Sequence, residues 1–186
     1  MSVIATELPG VLILEPDVFR DERGFLLELH AEHRLVEAGI DARFVQDNHS
    51  RSGRDVLRGL HYQLGRGQAK LFYVLRGRVM DVVVDLRRGS PSFARHVQVE
   101  LSADSPRLLF IPAHCAHGFY ALEDADVIYK CSDRYRPELE RGIIWNDPTL
   151  GVRWPTSSPL LSPRDQRLPT LDRLTAEDLP GAGSGG

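Results

Sequence analysis

The sequence predicts an all-β protein, an antiparallel sandwich of jelly-roll type with short peripheral helices. Two observations lead to this fold class. Between residues 11 and 154, short apolar segments alternate with Gly, Pro, Asp and Ser at a spacing typical of all-β folds. The sequence also lacks an internal repeat, a phosphate-binding loop and a dinucleotide fingerprint, and its strand patterns far outnumber its helical ones. An α/β sheet is therefore not expected.

The strands are predicted from apolar and β-branched runs between turn residues. The segments 71–75 and 79–86 flank the sequence RGR at 76–78, which predicts a hairpin. One early helix is predicted over 32–38, closed by Gly39 in a left-handed cap. The ten predicted strands are 11–14, 25–29, 44–46, 56–62, 71–75, 79–86, 96–101, 108–111, 118–121 and 127–131.

The length of 186 residues fits one domain with its own core. Prolines multiply after Trp154, which indicates a segment that wraps the sheet surface. The chain ends in PGAGSGG at 180–186, a composition typical of flexible chain. We therefore predict a single jelly-roll domain over 1–174 and a disordered tail over 175–186.

The composition is that of an ordinary globular protein, with 42% hydrophobic residues, 26% charged residues and a net charge of -3. This charge gives no attraction to nucleic acid or to an anionic membrane, so neither is expected as a partner. No apolar run approaches the ~18 residues of a membrane span, and the N-terminus lacks a signal-peptide pattern. The two cysteines do not suggest a disulfide framework. A cytoplasmic location is expected.

Three polar residues supply the groups that proton transfer at carbon needs. The sequence RGLHYQ at 58–63 contains His61, Lys70 follows it, and Tyr129 lies in a later predicted strand. Moving a proton off a carbon beside a carbonyl needs a base of near-neutral pKa, a cation where the enolate oxygen develops, and an acid on the opposite face. Histidine, lysine and tyrosine match these three roles in type.

Strand alternation leaves the orientation of these residues open. Tyr129 shares a face with Val127 and Cys131, so it points inward either as a catalytic phenol or as a core tyrosine bonded to a backbone carbonyl. His61 and Arg58 lie on opposite faces of an ideal strand. They can line one pocket only if the strand bulges or kinks, and Gly59 between them is the residue that permits this.

Two further features have alternative interpretations. Asp165 could orient His61 by accepting its second ring proton, or it could be a surface turn residue. His114 and His117 could form a three-histidine metal site with His61. However, His61 is followed by Tyr62 and Gln63, so the closely spaced His-x-His pair of metal-binding sites of this fold is missing. We expect no metal.

Several ordered motifs resemble one known family over about residues 11–171. They are FRDERGF (19–25), FVQDNHS (44–50), VLRGLHYQ (56–63), VVVDLR (82–87) ahead of GS (89–90), IP (111–112), AHGF (116–119), YKCSD (129–133), GIIWNDP (142–148) and LS (161–162). The chain resembles the dTDP-4-dehydrorhamnose 3,5-epimerases of the dTDP-rhamnose pathway, which are cupin-type jelly rolls. The resemblance implies a cofactor-independent isomerase that acts on dTDP-4-dehydro-6-deoxy-D-glucose.

The resemblance also implies the roles of individual residues. His61 would remove the protons at carbons 5 and 3 with Asp165 as its partner, Lys70 would stabilise the enolate oxygen, and Tyr129 would be the acid on the other face. Arg58 and His117 would help to hold the sugar and diphosphate, Tyr135 and Phe19 would flank the thymidine, and further substrate contacts would be Arg23, Glu28, Gln46, Asp47, Asn48, Glu140 and Arg164. A homodimer with exchanged N-terminal strands is expected, in which a neighbouring subunit supplies some contacts.

Three other functions remain open at this point. Relatives in antibiotic sugar pathways epimerise carbon 3 alone. A non-catalytic cupin could bind a nucleotide sugar in the same pocket. A metal-dependent cupin oxygenase is the third alternative.

Overall fold

The computed structural model describes residues 1–181. Its regular structure is almost entirely β-strand, which confirms the predicted fold class. The strands are β1 (Ser2–Ala5), β2 (Leu12–Glu15), β3 (Val18–Asp21), β4 (Gly24–Leu27), β5 (Gln46–Ser52), β6 (Leu57–Gln63), β7 (Lys70–Arg76), β8 (Arg78–Asp85), β9 (His96–Ser102), β10 (Leu108–Ile111), β11 (Cys115–Ala121), β12 (Ala125–Cys131) and β13 (Glu140–Gly142).

Two antiparallel sheets form the sandwich. The first has the order β1-β2-β10-β7-β12-β5, the second has the order β13-β6-β11-β8-β9, and β3 and β4 form a separate hairpin. Side chains from both sheets interdigitate in the central core, among them Phe72, Val74 and Val127 of the first sheet and Val83 and Phe119 of the second. Alternation along each strand places these residues inside because successive side chains point to opposite faces.

The helices are short and peripheral, as predicted. The α-helix α1 (Glu32–Glu37) ends in a Schellman pattern, in which the Gly39 N–H donates to the Val36 carbonyl at 2.9 Å and the Ile40 N–H donates to the Leu35 carbonyl at 2.8 Å. Leu35 and Ile40 pack on the outer face of the first sheet. Residues 1–181 also contain three 3-10 helices, which are Pro137–Leu139, Asp165–Arg167 and Leu171–Arg173.

The predicted hairpin of 71–75 and 79–86 is wrong. β7 pairs with β10 and β12 in the first sheet, whereas β8 pairs with β9 and β11 in the second. Gly77 joins the two strands with φ +75°, and a Cβ atom there would lie 2.2 Å from the backbone oxygen of Asp124. The glycine is therefore a corner between the sheets, because no larger residue fits this backbone and this close approach.

The C-terminal segment covers the outer face of the second sheet. Leu171, Leu174 and Leu179 pack against a cluster that includes Leu60 and Val82. Residues 175–181, which the sequence assigns to the tail, still make specific contacts, since the Tyr62 hydroxyl donates to the Asp178 carbonyl at 2.7 Å and Arg88 Nε donates to the Pro180 carbonyl at 3.2 Å. The remainder of the predicted tail, 182–186, lies outside the described residues. Within residues 1–181, no helix has the length and apolar character that a membrane crossing requires.

Candidate active site

A cavity of about 350 Å³ lies between the two sheets. Its lining comes from β5, β7 and β12 on one side and from β6 and β11 on the other, with additional residues from the segment that follows β12. The sandwich thus provides two facing walls. Nine of the predicted site residues line this cavity, namely Gln46, Asn48, Arg58, His61, Lys70, His117, Tyr129, Tyr135 and Glu140.

His61 and Asp165 form a close pair at the wall made by β6. His61 Nε2 lies 2.7 Å from Asp165 Oδ1. Burial alone would raise the pKa of Asp165, but hydrogen bonds from His61, Ser162 and the Gly59 backbone outweigh it and hold that pKa below its ordinary value. Asp165 is therefore an ionised acceptor for the Nε2 proton, which leaves Nδ1 of His61 as the ring nitrogen that can take up a proton.

A bulge at Gly59 brings Arg58 and His61 into the same cavity. His61 pairs with His117 of β11 and Arg58 pairs with Phe119, so two residues of β6 lie opposite the single residue Gly118. Gly59 has φ +114°, and a Cβ atom on it would lie 2.6 Å from the Cα atom of Gly118. The predicted bulge is present, and only glycine fits both this backbone conformation and this close approach.

Lys70 supplies a buried ammonium group in the facing wall. It begins β7, shares the cavity face with Phe72, and is 8% exposed. Burial lowers the pKa of this ammonium below its ordinary value, against nearby groups that raise it, among them Asp81 and Glu140. In its protonated form this lysine is a positive charge in a site of low dielectric, where it stabilises an adjacent oxyanion strongly.

Tyr129 lies on β12 in the same wall as Lys70, across from His61. Its ring stacks on Phe72, with 6.2 Å between the ring centroids. Burial raises the pKa of the phenol, so Tyr129 retains its proton well above neutral pH. Of the two interpretations from the sequence, the structure favours the cavity-facing phenol because the side chain is part of the cavity lining.

A second histidine–aspartate pair faces the same cavity. His117 Nε2 lies 2.7 Å from Asp81 Oδ2, and both residues are buried. Burial raises the pKa of Asp81, although His117 and Lys70 favour its charged form. Asp81 Oδ1 has no hydrogen-bond partner within the described part of the chain. Asp81 was not predicted as a site residue, yet a carboxylate inside the buried run of β8 is itself a signal, because such a group requires a partner.

The cavity mouth carries a network of Tyr135, Glu140 and Arg164. The Tyr135 hydroxyl donates to Glu140 Oε2 at 2.6 Å, and Arg164 forms an ion pair with the same oxygen. Elsewhere in the lining, Arg58 is held by the Ser52 hydroxyl, 2.9 Å from its Nε, and by the Arg51 carbonyl, 3.0 Å from its Nη2. Arg164 itself does not line the cavity and acts on it through Glu140.

Besides Arg164, four predicted substrate contacts lie outside this cavity. Asp47 points to the other face of β5 from Gln46 and Asn48, where both its oxygens bind Lys130 Nζ at 2.9 Å. Alternation along the strand therefore places Asp47 away from the cavity of its own chain. The others lie on or beside the β3–β4 hairpin, where they are exposed and outside the lining, namely Phe19, Arg23 and Glu28.

The histidines do not assemble into a metal-binding group among residues 1–181. No set of three or more His, Cys, Asp or Glu side chains in that range is arranged to hold a metal ion. His114, one of the three histidines considered, lies outside the cavity lining. Burial and the nearby Arg87 lower its pKa below the ordinary value. His117 is instead engaged by Asp81.

Several cavity residues were not predicted. Ser50, Gln63, Gln68 and Phe72 all line the site. Ser50 and Phe72 share strand faces with predicted site residues, so strand alternation is a signal that could have identified them. The two glutamines follow His61 and precede Lys70, and their contacts with a distant loop could not be read from local spacing.

The chain is similar to one protein family over nearly its whole length. The model of the family described as dTDP-4-dehydrorhamnose 3,5-epimerase matches residues 5–173. A protein of that name from Escherichia coli (strain K12) is 51% identical over 178 residues, which cover 94% of this chain and 96% of that protein. Another, from Neisseria gonorrhoeae, is 50% identical over 89% of this chain, which spans only 51% of that longer relative.

A solved structure is similar to the fold as a whole. The crystal structure of dTDP-6-deoxy-D-glucose-3,5-epimerase from Legionella pneumophila Philadelphia 1, in complex with dTDP-4-keto-L-rhamnose, superposes with a TM-score of 0.95. Its sequence is 46% identical, and the superposition covers 98% of this chain and 99% of that one.

Proposed function

The chain belongs to the dTDP-4-dehydrorhamnose 3,5-epimerase family, and we propose that it is an isomerase that converts dTDP-4-dehydro-6-deoxy-D-glucose to dTDP-4-dehydro-L-rhamnose in dTDP-rhamnose biosynthesis. One observation supports this proposal above all others. A paired histidine on one wall of the cavity faces a buried lysine and a cavity-facing tyrosine on the other wall. These are the base, the cation and the acid that inversion beside a ketone requires.

His61 begins the reaction as the base. It takes the proton from carbon 5 at Nδ1, and the electron pair of the broken C–H bond forms a double bond between carbons 5 and 4. The carbonyl π electrons move to the carbon 4 oxygen, which becomes an enolate. Asp165 remains ionised and stabilises the imidazolium cation through its 2.7 Å contact with Nε2.

Lys70 stabilises the enolate. The ammonium group is buried, so its attraction for the developing negative charge on the carbon 4 oxygen is weakly screened. A preorganised cation of this kind needs no reorganisation at the moment of reaction, which is why such groups lower the barrier effectively. The same ketone acidifies carbons 5 and 3, and one lysine can therefore serve both inversions.

Tyr129 completes each inversion as the acid. The phenol donates its proton to the carbon from the side opposite His61, the carbonyl re-forms, and the stereocentre is inverted. Proton exchange with solvent then returns Tyr129 to the phenol and His61 to the neutral imidazole. The sequence of steps moves protons alone and is redox neutral, so the chemistry calls for no oxidant or reductant.

The rest of the cavity binds the dTDP part of the substrate. Arg58 and His117 line the cavity and would hold the sugar and diphosphate, and the Tyr135 ring offers an aromatic surface for the thymine base. Gln46, Asn48 and Glu140 supply further polar contacts in the lining, and Arg164 holds Glu140 in place.

The proposal includes a homodimer that works in the cytoplasm. Phe19 and Leu26 on the β3–β4 hairpin are 64% and 72% exposed, which is unusual for large apolar side chains so close together in one hairpin. Their covering by a second copy would also bring Phe19, Arg23 and Glu28 toward a neighbouring cavity. The two cysteines are buried and free, in keeping with a reducing compartment.

Proton NMR of dTDP-4-dehydro-6-deoxy-D-glucose in deuterated water tests the proposed function. The signals of the protons on carbons 5 and 3 are expected to disappear on addition of the protein, and a reductase should trap dTDP-rhamnose. Loss of the carbon 3 signal alone would identify a 3-epimerase, and a spectrum without exchange would identify a binding protein or an enzyme for another substrate.

A further inference from the structure

Tyr135 lies in a segment that has no regular secondary structure. Residues 132–136 connect β12 to the 3-10 helix Pro137–Leu139 and carry the Tyr135 ring at the cavity mouth, where it is 48% exposed. Neither a helix nor a strand ladder fixes this backbone. The position of the ring therefore depends on hydrogen bonds that other parts of the chain make to the segment.

Gln63 makes two of these hydrogen bonds, one on each side of Tyr135. Its Nε2 donates to the Arg134 carbonyl at 3.3 Å, and its Oε1 accepts from the Arg136 N–H at 3.0 Å. The side-chain amide thus pairs with the segment as a backbone peptide group of a neighbouring strand would. Gln63 is the last residue of β6 and is 3% exposed, so the rigid sheet holds its amide in place.

Two other glutamines bind the same segment. Gln46 Oε1 accepts from the Tyr135 N–H at 2.9 Å, and Gln68 Nε2 donates to the Asp133 carbonyl at 2.7 Å. Together the three side chains contact four successive residues, 133–136. Gln63 contributes two of the four bonds and is the most deeply buried of the three.

We propose that Gln63 is a positioning residue for nucleotide binding, which holds the backbone on both sides of Tyr135 and so fixes its ring at the cavity mouth before substrate arrives. The inference rests on the proposed function, in which that ring contacts the thymine base. Ordering of a loop on binding lowers affinity, and a loop that is already ordered avoids this loss. Both polar atoms of the Gln63 amide bind backbone groups. Replacement of Gln63 should therefore affect nucleotide binding rather than proton transfer.

Gln63→Met tests the inference because methionine keeps the length of the side chain and loses both hydrogen bonds. Loss of the two bonds should raise the Kd for dTDP and the KM by roughly 30-fold, and kcat should change by less than about threefold. Gln98→Met is the matched control, since Gln98 Nε2 donates to the Arg153 carbonyl at 3.0 Å, away from the cavity. It should bind dTDP as the unaltered chain does.

A Tyr135→Ala variant shows whether Gln63 affects dTDP binding through the Tyr135 ring or through a wider loss of structure. If Gln63 acts through Tyr135, Gln63→Met should weaken dTDP binding little further in that background. An equal additional loss there, or an unchanged Kd in the single variant, would overturn the inference. Gln63→Glu provides a second variant, whose protonated carboxyl can restore both bonds. Relative to the unaltered chain at each pH, its dTDP affinity should recover at pH 5 and be lost at pH 8.

Amide hydrogen exchange gives a readout that needs no ligand. Exchange of the Tyr135 and Arg136 N–H groups should accelerate by about tenfold or more in Gln63→Met and remain unchanged in Gln98→Met. Unchanged exchange in Gln63→Met would overturn the positioning role. If the unaltered chain does not bind dTDP, the proposed function is wrong, and hydrogen exchange alone then decides whether Gln63 orders the segment.

Discussion

Two histidine–aspartate pairs face one cavity with the same 2.7 Å separation, but their surroundings differ. The His61 side chain is 28% exposed and its partner Asp165 6% exposed, whereas the His117 and Asp81 side chains are 9% and 0% exposed. Hydrogen bonds lower the pKa of Asp165, and burial raises the pKa of Asp81. The two pairs therefore have the same histidine–aspartate distance, but their aspartates differ in how readily they ionise.

This difference leads us to expect separate roles for the two pairs. An ionised Asp165 stabilises the cation that forms when His61 accepts a proton, so His61 is suited to act as the base. Asp81 lacks that support, since one of its oxygens has no partner within residues 1–181. His117 is therefore suited to binding the substrate rather than to removing its proton.

Replacement of the two aspartates should affect catalysis very unequally. Asp165→Asn removes the negative charge that stabilises protonated His61, and it favours the wrong tautomer of the imidazole. The equivalent change in serine proteases costs about 10⁴-fold in kcat. We expect a loss approaching that size, measured from steady-state epimerisation. Asp81→Asn should lower kcat by no more than about tenfold, because we expect its histidine to bind the substrate and not to act as the base. Similar losses of kcat in the two variants would contradict separate roles for the two histidine–aspartate pairs.

Replacement of Lys70 should produce the next largest loss of kcat. Lys70→Met should lower kcat by about 10²- to 10³-fold, because the enolate loses its cation. Burial lowers the pKa of Lys70 below its ordinary value of 10.5, so activity should fall with rising pH before that value is reached. Lys70→Arg should extend the alkaline range, since arginine keeps its charge.

Lys130→Met is the control for Lys70, because the chain contains only these two lysines. Lys130 binds Asp47 on the outer face of the sheet. Its replacement should leave kcat unchanged. A loss in Lys130→Met as large as in Lys70→Met would show that the result reflects the loss of any lysine rather than the buried cation.

Tyr129→Phe should separate the two halves of the reaction. Without the phenol, the inverted product should form about 10²-fold more slowly. His61 can still remove and return a proton on its own face, so deuterium should continue to enter the substrate without inversion. Tyr73→Phe, which alters a buried tyrosine on the outer side of the first sheet, should retain full activity. Equal loss of deuterium exchange and product in Tyr129→Phe would argue against its role as the acid.

The pH dependence of stability should distinguish the two aspartates by sign. The pKa of Asp165 is lowered by folding, so its stabilising effect is present above the ordinary value of 3.8 and is lost as pH falls through the folded value. The pKa of Asp81 is raised, so the folded state binds its proton more tightly and stability falls as pH rises above 3.8.

Urea unfolding from pH 4 to 7 measures these small differences. The stability deficit of Asp165→Asn should grow slightly with pH, whereas that of Asp81→Asn should shrink. Changes of the same sign in both variants would contradict the opposite pKa shifts.

The fold class could be predicted because most strands carry apolar alternation, and the structure confirms it. β5 (Gln46–Ser52) is an exception, since its sequence QDNHSRS is polar and alternates between cavity and solvent. The segment 44–46 was predicted as a strand, but it ends where β5 begins. The corner at Gly77 was misread as a hairpin because β-branched runs on either side of a glycine fit a hairpin and a change of sheet equally well.

Residue type and motif were enough to predict several side chains that lie together in the candidate site. The structure brings His61, Asp165, Lys70 and Tyr129 together, as the motifs suggested. Asp81 was missed because its partner lies 36 positions away and comes into contact only through strand pairing. The glutamine contacts around Tyr135 were missed for the same reason.

The most direct test of the contrast is deuterium exchange at carbon 5 of the substrate with His61→Asn and His117→Asn, measured side by side at saturating concentration. His61→Asn should abolish detectable exchange, because the base is lost. His117→Asn should exchange deuterium at a rate within about tenfold of the unaltered chain, with a higher KM. Exchange that persists in His61→Asn and disappears in His117→Asn would contradict the assignment of the two pairs.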